Sequence, residues 1–272
     1  MFNFEDKEII DALIKNKPGV GNIDKPKDDN YKPDQIVMVV DRSGSMGSIQ
    51  EDAEGGINSF IDENKKEGSA IFTMVEFDTE YNVLCSNTPL EEIERYNLRP
   101  RGMTALMDAI GQAFADVDEG KKDDEHSKIA VIVTDGGENS SKEWTRGQIF
   151  KRIEELKEKG WEFIFLAANQ DALESGGSYG FNADTTLNFN ENSVQSVYSA
   201  ASAYSVSHRS IRGRDLSMKK AMASNAMKSV VNDDTVLASI NTHNTHNTQN
   251  TFDEDLKFDK DSLNDIAKKL KE

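Results

Sequence analysis

Apolar residues occur along this chain in two kinds of stretch, and the two kinds alternate. Ile36–Val40, Ala70–Phe77, Ile129–Thr134 and Trp161–Ala168 are short, rich in β-branched or aromatic residues, and lack strict polar alternation. Such runs suit strands buried on both faces of a parallel sheet. Between and after them, apolar residues recur three and four apart. They are Ile49, Ala53, Ile57, Phe60 and Ile61 in 48–64, and Ala105, Leu106, Ala109, Ile110 and Ala113 in 104–118. Ile149, Ile153 and Leu156 in 145–159 continue the pattern, as do Val194, Val197, Tyr198, Ala201 and Tyr204 in 191–209. This spacing predicts amphipathic helices. Strands alternating with helices predict an α/β fold: a doubly wound, mostly parallel sheet with helices on both faces. Tyr81–Cys85 follows Phe77 after only Asp78-Thr79-Glu80, which is too short for a parallel crossover, so one antiparallel edge strand is expected. Thr185–Phe189 is the last candidate strand. Gly55 and Gly56 weaken the first helix by about 1 kcal/mol each relative to Ala, and are expected to let it approach the sheet closely.

The flanks have another character. Residues 3–15 predict a short helix, and Pro18, Pro26 and Pro33 mark a linker after it, so 1–33 is set apart from an α/β domain at 34–209. Residues 210–240 predict an appended helical segment. Arg209, Arg212, Arg214, Lys219 and Lys220 form a local basic patch there, with Met218, Met222 and Met227 nearby. Residues 241–252 repeat Asn-Thr-His and Asn-Thr-Gln without a core-forming face, and read as a tether. Residues 253–272 combine an acidic segment with an amphipathic helix bearing Leu263, Ile266, Ala267 and Leu270.

Charge narrows the function classes. The 272 residues carry 32 basic and 49 acidic side chains, a net charge of -17. That argues against general nucleic-acid binding, which depends on neutralising phosphates, and against docking on anionic membranes. No stretch approaches the roughly 18 apolar residues of a membrane span. The single cysteine, Cys85, cannot form an internal disulfide, and the stretch Met1–Asp6, acidic in net charge, lacks the basic-then-apolar layout of a signal peptide. A cytoplasmic protein is the expectation.

The chemistry lies where the apolar runs stop. The first ends in Asp41-Arg42-Ser43-Gly44-Ser45-Met46-Gly47. In open α/β sheets, ligands bind beyond the carboxyl ends of the strands. Asp41, Ser43 and Ser45 all offer oxygen, the donor that hard cations such as Mg²⁺ prefer. Arg101-Gly102-Met103-Thr104 places a threonine at the start of a helix. Val131-Ile132-Val133-Thr134-Asp135-Gly136-Gly137 ends a second buried strand in an acid and glycines. Together these stretches resemble the metal-ion-dependent adhesion site of von Willebrand factor A domains: D-x-S-x-S, then a distant Thr, then a distant Asp. Asp41, Ser43, Ser45, Thr104 and Asp135 match all five positions. The wording from Gly160 to Leu166, followed by Ala168-Asn169-Gln170-Asp171-Ala172, is similar to intracellular members from bacteria and their phages.

The resemblance implies that Ser43, Ser45 and Thr104 are direct hydroxyl ligands of Mg²⁺ or Mn²⁺, with Asp41 and Asp135 acting directly or through water. It also implies a protein partner that supplies an acidic side chain to the ion. Arg42 and Met46 occupy the variable positions; either could contact a partner, but Arg42 is expected to be solvated. Asp253, Glu254, Asp255, Asp259 or Asp261 could supply the acid in cis. A metal-dependent protein-interaction module is therefore the first reading. A structural subunit of a bacterial or phage assembly and a metal-dependent phosphoester hydrolase stand as alternatives. Against an enzyme, there is no G-x-S-x-G elbow and no G-x-x-x-x-G-K-[ST] loop, and Ser43 stands where D-x-D phosphatases carry their second acid.

Overall fold

The computed structural model describes residues 33–115, 126–168, 176–189, 193–211 and 215–230. Apart from Pro33, these belong to the unit Asp34–Glu272. The expected N-terminal helix, the tether and the acidic tail with its helix lie outside the described residues.

Six strands form one sheet: β1 (Asp34–Asp41), β2 (Ala70–Phe77), β3 (Tyr81–Pro89), β4 (Lys128–Thr134), β5 (Trp161–Ala167) and β6 (Thr186–Asn188). Their spatial order is β3-β2-β1-β4-β5-β6. Every neighbouring pair is parallel except β2–β3. The sheet is thus the expected one, with a single antiparallel edge strand. β3 extends four residues past its expected end at Cys85, and its pairing slips between Phe72 and Val75. Its side chains are mostly half-buried or exposed, so no apolar run marks where it stops.

Among the described residues, five α-helices accompany the sheet: α1 (Gln50–Lys66), α2 (Leu106–Ala115), α3 (Arg146–Glu158), α4 (Val194–Ser210) and α5 (Leu216–Val230). Side chains alternate across a strand, so β1 feeds two cores at once. Ile36, Met38 and Val40 pack with α1, α4 and α5. Val37 and Val39 pack with α2 and α3. This double burial is why the strands read as unbroken apolar runs. Thr145 starts α3 with a capping box completed by Gln148.

Gly56 does permit close approach, but to α4 rather than to the sheet. A Cβ built on Gly56 would lie 2.2 Å from Cδ2 of Tyr198. α5 in turn packs on α4.

The described basic residues of this segment take structural roles. Arg209 and Lys219 are buried, and Lys220 Nζ lies 2.8 Å from the buried Glu162 carboxylate. Arg212 and Arg214 fall outside the described residues. Arg209 reaches under the amino end of β1. Its Nε lies 3.1 Å from Asp34 Oδ2, and its Nη1 and Nη2 donate to the carbonyls of Asn64 and Gly68. Ser127 N donates to the other Asp34 oxygen. His208 Nδ1 lies 2.9 Å from Ser127 Oγ. Burial, reinforced by the charges of Lys219 and Lys220, pushes the His208 imidazole down to about 3.

Candidate metal centre

β1 pairs with β2 on one side and β4 on the other, so chain direction diverges at the crevice between β1 and β4. Such switch points are where open α/β sheets bind ligands. The register sets Val40 beside Val133, which brings Asp41 next to Thr134 and sends the following loops out of the same end.

There, four of the five sequence-identified residues are joined by hydrogen bonds. Asp41 Oδ1 accepts from Ser43 N at 2.7 Å. The Ser43 and Ser45 hydroxyls lie 3.1 Å apart, and Ser45 Oγ donates to Asp135 Oδ1 at 2.8 Å. Thr104 arrives from the connection between β3 and α2. A Cβ built on Gly136 would lie 2.9 Å from Thr104 Oγ1 and 3.5 Å from Ser45 Oγ. The missing side chain of Gly136 therefore leaves room beside these two hydroxyls. Ser45 is exposed, whereas Asp41, Ser43, Thr104 and Asp135 are buried. The centre is reached from the Ser45 side.

Thr134 is a member of this centre that the sequence reading missed. Its hydroxyl donates to Asp41 Oδ2 at 2.6 Å and accepts from Gly136 N at 3.2 Å. A threonine immediately before Asp135 was the available signal, but it acquires meaning only once β4 is aligned with β1.

Burial pushes the Asp41 carboxyl up to about 6; hydrogen bonds from Thr134 and Ser43 pull it down, and the charge of Asp135 adds to the rise. Burial also raises Asp135, against the hydrogen bond from Ser45. Among the described residues no Lys or Arg forms an ion pair with Asp41. An ionised carboxylate withdrawn from water is costly unless paired. A hard cation fits such a place: every converging donor is oxygen, two donors are anionic, and Gly136 leaves space. Among the described residues, no three His, Cys, Asp or Glu side chains gather into a metal cluster, so a cation here would depend on the hydroxyls.

Two variable positions of the loop behave otherwise than expected. Arg42 is not solvated. Its Nη1 lies 2.6 Å from Glu76 Oε1 and its Nε 3.0 Å from Asp78 Oδ2, which turns the guanidinium away from Asp41 and towards β2. Met46 is fully buried in the core beside α1, and so is not a partner contact. Met103, one residue before Thr104, is by contrast exposed, at 51%.

A family model described as von Willebrand factor type A domain matches residues 35–202. No curated protein matches the chain. Solved structures do. The von Willebrand factor type A protein from Catenulispora acidiphila is 14% identical, with a TM-score of 0.48, covering 65% of this chain and 43% of that one. Proximal thread matrix protein 1 from the mussel byssus, in a structure described as having a zinc-occupied MIDAS motif, is 16% identical with a TM-score of 0.45. That match covers 62% of this chain and 48% of the mussel chain. The pilus adhesin SpaC from Lactobacillus rhamnosus GG is 14% identical with a TM-score of 0.45, covering 74% of this chain and 30% of the adhesin. The chain spans less than half the length of each of these structures.

Proposed function

Because the chain belongs to the von Willebrand factor type A family, we propose that it is a divalent-metal-dependent protein-interaction module. Asp41, Ser43, Ser45, Thr104 and Asp135 would hold the ion, Mg²⁺ or Mn²⁺, through direct or water-mediated contacts. The observation that carries this reading is the buried Asp41 carboxylate, surrounded by hydroxyls and lacking an ion-pair partner among the described residues. When bound, the ion supplies a positive charge that neutral hydroxyl ligands leave undercompensated, and so an affinity for one more anionic oxygen. The chain's own residues do the rest. Thr134 and Ser43 N orient Asp41, Asp135 orients Ser45, and Gly136 keeps the space open. Ser45, Gly47, Ser48, Met103 and Gly137 are exposed on the three loops, and would form the rim on which a partner presenting an acidic side chain sits.

We read the centre as binding rather than catalytic. His208, whose low proton affinity would suit a neutral base, is buried in the network at the amino end of β1, away from these loops. The same proposal takes 34–209 as the interaction domain and 1–33 and 210–272 as appended segments. A cytoplasmic setting rests on the lone cysteine. Affinity capture from a lysate, run in Mg²⁺ and in chelator with the wild type and Asp41→Ala, tests the function. Partners held only by the wild type in Mg²⁺ are expected. Partners retained equally in all four arms would contradict metal-bridged binding.

A further inference from the structure

Thr104 belongs to no strand, yet its hydroxyl must stand beside Ser45 and Gly136. We propose that Asp78 and Glu138, two carboxylates outside the five, are positioning residues that clamp the Thr104 loop between the loops bearing Ser43 and Asp135. The inference rests on the metal reading and deepens it.

Asp78 lies directly after β2 and is buried. Its Oδ2 faces Arg101 Nε at 2.7 Å and Arg42 Nε at 3.0 Å, so one carboxylate holds an arginine from each loop. Its Oδ1 accepts from Glu80 N at 2.6 Å, and its carbonyl accepts from Ala105 N at 3.0 Å. Backbone bonds stitch the same two loops, from Arg101 N to Arg42 O and from Gly44 N to Gly102 O. Gly102 has φ +71°, and a Cβ there would come within 3.2 Å of Asp78 Cβ. The loop thus passes against Asp78 in a conformation that favours glycine.

Glu138 works from the other side. Its Oε2 accepts from Met107 N at 2.9 Å, serving an amide in the first turn of α2 that has no partner within the helix. Its Oε1 accepts from Ser140 N and Ser141 N. This shapes the turn from which Asn139 Oδ1 accepts Thr104 N at 2.9 Å, while Thr104 O accepts Asn139 N. Outer hydrogen bonds that orient metal ligands are typically worth about 10–100-fold in metal affinity.

The test is Mn²⁺ affinity by titration calorimetry, with folding checked by circular dichroism. Asp78→Asn and Glu138→Gln should each weaken binding by about 10-fold or more. Arg101→Gln is the discriminating variant, and it keeps the test open if Asp78→Asn fails to fold. Removing a positive charge near a cation tightens binding by charge alone, whereas loosening the clamp weakens it; weakening is expected. In a Thr104→Ala background the Asp78 and Glu138 effects should largely vanish. Wild-type affinity in both carboxylate variants, tighter binding in Arg101→Gln, or undiminished losses without Thr104 would each overturn the clamp. If the wild type binds no Mn²⁺, the metal reading fails by itself. Amide exchange then judges the clamp: faster exchange at Gly44 and Ala105 in Asp78→Asn, and at Thr104 and Met107 in Glu138→Gln, supports it, and unchanged exchange overturns it.

Discussion

Strand β1 begins and ends with an aspartate, and the surroundings of the two could hardly differ more. Asp34 is 1% exposed and meets Arg209, itself fully buried, whose other nitrogens are taken by carbonyls of Asn64 and Gly68. Asp41 is 0% exposed and meets two hydroxyls and an amide. At the amino end the chain brings a cation from α4 to a buried charge. At the carboxyl end no described arginine or lysine does so, and Arg42, one residue away, is held by Glu76 and Asp78 instead. A buried acid matched within the chain is part of the scaffold. One left with hydroxyls is chemically prepared for an ion from solution.

The contrast can be broken first at its scaffold end. Arg209→Met removes the guanidinium that faces the buried Asp34 carboxylate, together with the hydrogen bonds it gives the Asn64 and Gly68 carbonyls. A loss of about 3–5 kcal/mol in urea unfolding is expected. At the other end, Mg²⁺ at about 100 times its dissociation constant should add roughly 2.7 kcal/mol to the wild type and nothing to Asp41→Asn.

Acid should separate the ends further, with opposite signs. His208 has a folded-state value of about 3, below the roughly 6.5 of the unfolded chain, so its contribution is complete above pH 6.5 and lost as pH falls. Unfolding at pH 5 against pH 7 should show a loss of about 2 kcal/mol that His208→Asn removes. Asp41 is raised to about 6, above its unfolded value, so in metal-free protein its contribution is complete at low pH and lost as pH rises through 6. Metal-free Asp41→Asn should therefore gain on the wild type between pH 5 and pH 8. The smallest expected effect is at Gly136→Ala. Its methyl group would crowd Thr104 Oγ1 at 2.9 Å, and should weaken Mg²⁺ binding by roughly tenfold, about 1.4 kcal/mol, in calorimetry.

Much of this was legible in the chain because the signals were local. β1, β4 and β5 are buried on both faces, and an unbroken apolar run is what such burial requires. The five candidate residues follow the ends of such runs or open a helix, so sequence order alone was enough to single them out. The sequence reading failed where position depends on partners far along the chain. Arg42 looked like a loop side chain because Glu76, its nearest partner, lies 34 residues away at the end of another strand. Gly56 signalled a close approach without saying that Tyr198 would make it. Asp78 and Glu138 carry no local signal in the sequence, since the donors they receive come from other loops as well as their own. Thr134 needed the register of β4 on β1.

The central claim is that the carboxyl end of β1 takes a cation from solution. Calorimetric titration of Mg²⁺ into metal-free wild type and Asp41→Asn, both confirmed as folded, tests it most directly. One binding site in the wild type that disappears in the variant is the result predicted. Equal binding by both proteins, or none by the wild type, would contradict it.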